Sequence, residues 1–278
     1  MKLLYIIVVF LFSSLSIYAQ SEDSTTDAAK KTQVSVAVTF NSGLNYYGRT
    51  DSLKSKGIYP SVGINFKNGL YINSSFVFIN NKAATNYAAT IVEGGYEFGG
   101  GTHKFSGNIF INGFFYKQKT LVQSAVKATS GINLTWLSKA IDFNIGTDGK
   151  LSNDIDIDAS FGLDHIIRIN KVGNGIIVVD PSAYIYTGTQ NFSKSYLQQK
   201  NVLFLPAGEQ LITTNSKKFN ILSYEFSMPV VYAIGKMKLI IDPAYTLPQN
   251  LITVPGHPEQ SETGSNLFYF TTTVKFTF

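Results

Sequence analysis

Three histidines, His103, His165 and His257, are the only imidazoles in the chain, and there is no cysteine. A hydrolytic triad would need one of those rings beside a hydroxyl nucleophile and a polar orienter. His103 falls in a turn and His257 in a loop containing Pro and Gly. His165 is on an alternating segment, with its ring on the apolar face and toward one strand end, where an imidazole suits the headgroup level. Membrane-embedded hydrolases carry Ser and His on the lipid face, but no serine motif marks a nucleophile here. The sequence therefore argues against an enzyme and assigns no catalytic residue.

Carboxylates are the second candidate chemistry. Asp142, Asp156, Asp158, Asp164 and Asp180 all fall on the polar parity of three successive alternating segments. Close like charges repel, which either favours a shared proton or invites a cation. One reading is a cation-attracting wall. The other is a salt-bridge network with bases of the same parity, namely Lys127, Arg168, Lys236 and Lys238. Their spacing matches no calcium loop, and without Cys no thiolate site exists, so no metal is expected. No Gly-rich phosphate loop or nucleotide fingerprint is present, so no cofactor is expected. The net charge of +5 comes from bases scattered through loops, such as Arg49, Lys54, Lys56, Lys117 and Lys119. A solvated surface accounts for them, and no nucleic acid is implied.

The elements that must hold these residues alternate with period two. They span 32–42, 57–67, 70–80, 87–98, 103–116, 121–136, 140–148, 154–169, 175–187, 218–232, 236–247 and 266–278. Apolar sets include Val34/Val36/Val38/Phe40, Leu70/Ile72/Phe76/Phe78, Ile155/Ile157/Phe161/Leu163 and Leu222/Tyr224/Phe226/Met228. Turning the greasier parity outward is expected to leave the outside free of charge and to enclose the acids and bases. A soluble sandwich would hardly bury so many charges, whereas a barrel with a wet lumen tolerates them. The expectation is thus an all-β chain forming one transmembrane antiparallel barrel of about twelve strands.

Links between the strands alternate between short ones, such as Lys67–Gly69, and three long ones at 43–56, 188–217 and 248–265. Short periplasmic turns and long external loops fit this class. Gly69 is placed to take a left-handed conformation. Aromatics near strand ends, including Phe66, Phe105, Trp136, Phe115 and Phe268, would form interfacial girdles. Glu97 and Lys104 are expected to pair across a turn, and the inward Tyr71, Tyr184, Tyr186 and Tyr269 to fill space. Pro181, Pro229 and Pro243 interrupt three consecutive strands, each removing a ladder donor. They imply either shaping bulges or a weakened wall. The apolar stretch Val202–Pro206 in the longest loop suggests a segment folded inward or over the rim.

Residues 1–19 read as an export signal, with Lys2, an apolar core from Leu3 to Phe12, and Tyr18-Ala19 before Gln20. Residues 20–31 form a polar leader, and 32–278 the barrel. The signal ending, the terminal aromatic strand through Phe278, and the segments Ser223–Tyr232 and Asp242–Asn250 resemble porin-like outer-membrane barrels of the Bacteroidota. That resemblance implies an outer-membrane location, lipid around the wall, and recognition of Phe278 by the outer-membrane assembly machinery. Twelve strands imply a narrow or partly plugged pore. The leading expectation is a small-solute channel or passive transporter. The alternatives are a non-transporting barrel, as an assembly subunit or surface-binding protein, and more remotely a lipid hydrolase.

Overall fold

The structure, a computed structural model, describes residues 31–50, 55–81, 85–100, 103–117, 126–191, 216–258 and 261–278. The strands are β1 Gln33–Asn41, β2 Asn45–Tyr46, β3 Arg49–Thr50, β4 Lys56–Asn65, β5 Leu70–Asn80, β6 Thr85–Gly99, β7 Phe105–Tyr116, β8 Ala128–Trp136 and β9 Asp142–Leu151. They continue as β10 Ile155–Asp164, β11 Ile167–Val172, β12 Gly175–Val179, β13 Ser182–Gly188, β14 Asn220–Ser227, β15 Val230–Ile234, β16 Met237–Pro248 and β17 Leu267–Thr277. Three staves are broken once each, into β10/β11, β12/β13 and β14/β15. The register is continuous across each break.

Every pairing in the sheet is antiparallel, and β17 returns to pair with β1. The result is a closed barrel of twelve staves, with β2 and β3 forming a separate small hairpin. Closure removes both sheet edges, which is what a β-structure needs to cross lipid. The outward parity is apolar: Ile155, Ile157, Phe161 and Leu163 are all exposed, as are Val34, Val36 and Val38. So much exposed hydrocarbon suits lipid rather than water. Phe105 lies against Trp136, and Trp136 against Phe143, at one end of the wall; Phe115, Tyr245 and Phe268 stand exposed at the other.

All twelve expected strands are present, with shifted ends. The stave expected at 140–148 runs on to Leu151, which brings Lys150 into the wall. The stave expected from 57 begins at Lys56, whose exposed side chain takes outward parity at the long-loop rim. Leu222 was expected to face lipid, but it is fully buried. Tyr186 pairs with Ser223 and Thr187 with Ile221, so Leu222 is the extra residue of a bulge and turns inward. Glu97 stands opposite Asn108 rather than Lys104, which lies in the exposed turn. Gly69 has the expected left-handed backbone, φ 93°. Residues 1–30, 121–125 and the Val202–Pro206 stretch lie outside the described residues.

The lumen and its outer mouth as the candidate functional site

The link between β1 and β4 does not stay outside the barrel. Asn45 pairs with Thr50 and Tyr46 with Arg49, making a hairpin whose tip is Tyr47-Gly48. Both tip residues have positive φ, 53° and 76°, the two-residue turn that suits twisted strands. Gly48 has a second reason for lacking a side chain, since a Cβ there would come within 2.8 Å of Pro248. The hairpin packs into the long-loop end of the lumen, where Leu44, Asn45 and Arg49 are buried.

Arg49 fixes the hairpin. Its Nε donates to Glu262 Oε1 at 3.0 Å, Nη1 to the carbonyls of Tyr47 and Leu222 at 3.2 Å each, and Nη2 to the carbonyl of Gln249 at 3.1 Å. Thr50 N donates to the Thr263 carbonyl, and Glu262 Oε2 accepts from Ile252 N. The first long link is thus tied to the last. Sequence reasoning had placed Arg49 on a solvated surface, but it is 6% exposed. A guanidinium supplies several donors in a fixed fork, so a folded-in loop can use it as a hub.

Beneath the hairpin lies a second charged knot. Lys150 is 2% exposed, and its ammonium contacts Asp158, the Tyr46 hydroxyl, and the Tyr47 hydroxyl at 3.1 Å. Asp148 Oδ2 is 3.8 Å away. The Tyr46 and Tyr47 rings present their faces at 4.8 and 4.9 Å from the same nitrogen, a cation–π arrangement. Tyr47 donates its hydroxyl to Asp158 Oδ2 at 2.7 Å and packs at a tilt against the Tyr186 ring, centroids 5.2 Å apart. Burial, and then the Asp158 charge, raise both phenols well above their usual range, so they remain protonated donors.

The expected acids divide into separate roles. Asp156 is fully buried and accepts from Thr189 Oγ1 at 2.6 Å and Asn191 N at 2.7 Å, so it anchors the link after β13. Asp158 belongs to the Lys150 knot. Asp142, near the short-turn end, accepts from Ser138 N at 2.6 Å. Asp164 takes an Asn144 amide and touches Asp180, which is 3% exposed. Asp164 and Asp180 line the half of the lumen nearer the short turns. There Asn73, Asn108, Asn133, Ser182 and Thr271 are half-buried.

The expected bases lie elsewhere. Lys127 is exposed just before β8, and Arg168 is exposed on inward parity in β11. Lys236 sits in the turn between β15 and β16 rather than on the wall, its ammonium 5.3 Å from the Phe278 ring. Lys238 is half-buried opposite Lys275. Among the described residues the ion pairs are Arg49–Glu262, Lys150–Asp148 and Lys150–Asp158. Lys150 is the base paired with Asp148 and Asp158, and it lies past the strand end that the sequence leads one to expect. His103, His165 and His257 lie in a turn, on the outer wall and in the link after β16, and do not converge.

This closed barrel, with an apolar exterior and a charged interior, is of the membrane-spanning class. No protein-family model matches the chain, and no curated protein matches it in sequence. Solved structures similar in shape include the NanC porin, at 13% identity and TM-score 0.44 over 87% of this chain and 98% of that one. The KdgM porin matches at 6% and 0.48, over 88% and 99%. LpxR from Salmonella typhimurium matches at 8% and 0.43, over 87% and 99%. Likenesses at this level describe barrel shape and nothing finer.

Proposed function

We propose that this protein is an outer-membrane β-barrel acting as a narrow passive channel for small solutes, with the hairpin Asn45–Thr50 as its constriction. On the sequence segments through Ser223–Tyr232 and Phe278, we place it with the porin-like barrels of the Bacteroidota. The observation that carries the channel reading is the lumen itself. Polar side chains line it from the short-turn end up to the Lys150–Asp158 knot, and most of them are half-exposed. A hydrated, charged lumen inside an apolar wall conducts when its constriction yields. The short turns would face the periplasm and the long links the exterior.

The ion pairs that hold the hairpin in the mouth, Arg49–Glu262 and Lys150–Asp158, favour a second reading, a non-transporting barrel. Planar-bilayer recording of the refolded protein separates the two. The channel reading expects discrete current steps of small amplitude. A barrel that is folded, inserted and electrically silent belongs to the second reading.

A further inference from the structure

Pro181, Pro229 and Pro243 form one feature. His165 stands opposite Pro181, Asp180 opposite Pro229, and Met228 opposite Pro243, in three neighbouring ladders at the same height of the wall. One bond survives in each pair: His165 N to Pro181 O at 3.2 Å, Asp180 N to Pro229 O at 3.0 Å, and Met228 N to Pro243 O at 3.1 Å. The reciprocal bond is impossible, because proline has no N–H. Central strands normally exclude proline for this reason. Here three adjacent ladders each lack a rung, and β10/β11, β12/β13 and β14/β15 all break along that line.

The two faces of this crease differ in chemistry. Outward parity holds His165, Pro181, Met228 and Pro243, with Met228 48% exposed and His165 a polar ring between the apolar Leu163 and Ile167. Inward parity holds Asp180 and Asp242 on either side of Pro229, with Asp164 touching Asp180. Asp180 is 97% buried in effect, at 3% exposure, yet its Oδ1 has no partner; Asp242 Oδ1 has none either. No Lys or Arg among the described residues forms an ion pair with these three carboxyls. Unpartnered buried carboxylate oxygens are costly and mark a place for a cationic donor.

We propose that the wall parts at this crease to admit an amphipathic amine from the bilayer, with its ammonium taken up by Asp180 and Asp242 and its tail between Pro181, Met228 and Pro243. This inference rests on the membrane-spanning reading but not on conduction through the mouth, which the hairpin narrows. Each of these three adjacent ladders has one rung fewer than an uninterrupted stretch, so neighbouring staves can spread locally there with fewer bonds to break. An acidic inner lip and an apolar outer lip select a molecule that has both a cationic head and a hydrocarbon tail.

The test uses the full-length barrel in lipid nanodiscs, with dodecylamine, dodecanol and butylamine as probes. Ser182 and Ser227 bond through their hydroxyls at 2.7 Å beside the crease, and Thr39 and Thr273 do the same at 2.7 Å on the β1–β17 seam. The pair Ser182→Cys/Ser227→Cys makes a staple that holds two neighbouring staves together beside the crease, and Thr39→Cys/Thr273→Cys a matched control. Dodecylamine should associate with wild type, whereas dodecanol and butylamine should not. Oxidising the crease staple should slow association on the order of tenfold, with recovery on reduction, while the control staple leaves it unchanged. Asp180→Asn/Asp242→Asn should abolish retention. Pro181→Val, Pro229→Val and Pro243→Val together, which restore the donors, should slow association without loss of fold. Association indifferent to the crease staple, or equally slowed by both staples, overturns the proposal. A barrel that conducts yet shows that indifference keeps the channel and loses the crease; a silent barrel with staple-dependent association does the reverse.

Discussion

Arg49 and Glu262, 213 positions apart in the chain, form an ion pair of 3.0 Å with side chains only 8% and 3% exposed. That contact joins the first long link to the last over the barrel mouth. The Lys150 knot lies directly beneath it. A buried pair is weak evidence for net stability, but removing one partner strands the other charge. The following expectations turn on that asymmetry.

Lys150→Met leaves the buried Asp158 and the half-buried Asp148 without their base. Stability of the refolded barrel should fall by about 3–5 kcal/mol. Asp158→Asn should cost less, because an amide still accepts from Lys150 and Tyr47. Urea unfolding followed by gel mobility measures both; a loss below about 1 kcal/mol for Lys150→Met would remove the knot from the account.

The wall has a lipid side and a lumen side. Phe226→Arg, at an outward position 50% exposed in the middle of its stave, should cost about 2–4 kcal/mol, and Ile157→Arg, 55% exposed near the long-loop end of β10, less than that. Thr271→Arg, on the half-buried lumenal face, should cost much less. Ser223→Arg is a lumenal change that should not be tolerated, since Ser223 is fully buried under the hairpin. Equal sensitivity at Phe226 and Thr271 would contradict the assigned faces.

Phe278 closes the barrel through its backbone, N to the Val34 carbonyl at 2.8 Å and O from the Val34 amide at 3.2 Å. Its ring is exposed beneath Lys236. Phe278→Ala keeps the closing bonds, so the refolded protein should lose little stability. Assembly in cells should fall markedly if the ring is the feature that the assembly machinery reads. Unchanged amounts of folded barrel in the outer membrane would count against that role.

Asp164 is half-buried on the lumenal face with the buried Asp180 against it, whereas Asp156 and Asp158 are committed to hydrogen bonds and the Lys150 ion pair. Asp164→Asn/Asp180→Asn should therefore shift the reversal potential toward anions in a salt gradient, and more so at low salt. Asp156→Asn should shift it little and instead loosen the link at Thr189–Asn191. If the first pair leaves selectivity untouched, these carboxyls do not face the ion path.

Much of the barrel was legible because its code is local. Period-two alternation set the faces of β1, β5, β10 and β17, and Gly69 revealed its own turn. What stayed hidden depends on contacts between distant segments. Arg49 looks solvated in a loop until that loop folds inward onto Glu262. Lys150 looks like a link residue until β9 is paired against β10 up to Leu151. Leu222 keeps the alternation in sequence but loses it in space, because one bulge shifts the parity. The prolines were visible as defects, but only the register placed them on one line.

Single-channel recording of wild type beside Arg49→Met tests the central claim most directly, that the lumen is a path and the hairpin its constriction. Without Arg49 the hairpin loses its ties to Glu262, Gln249 and Leu222. Wild type should give small steps, and Arg49→Met steps several-fold larger while the barrel stays folded. Folded, inserted protein that carries no current in either form would contradict the account.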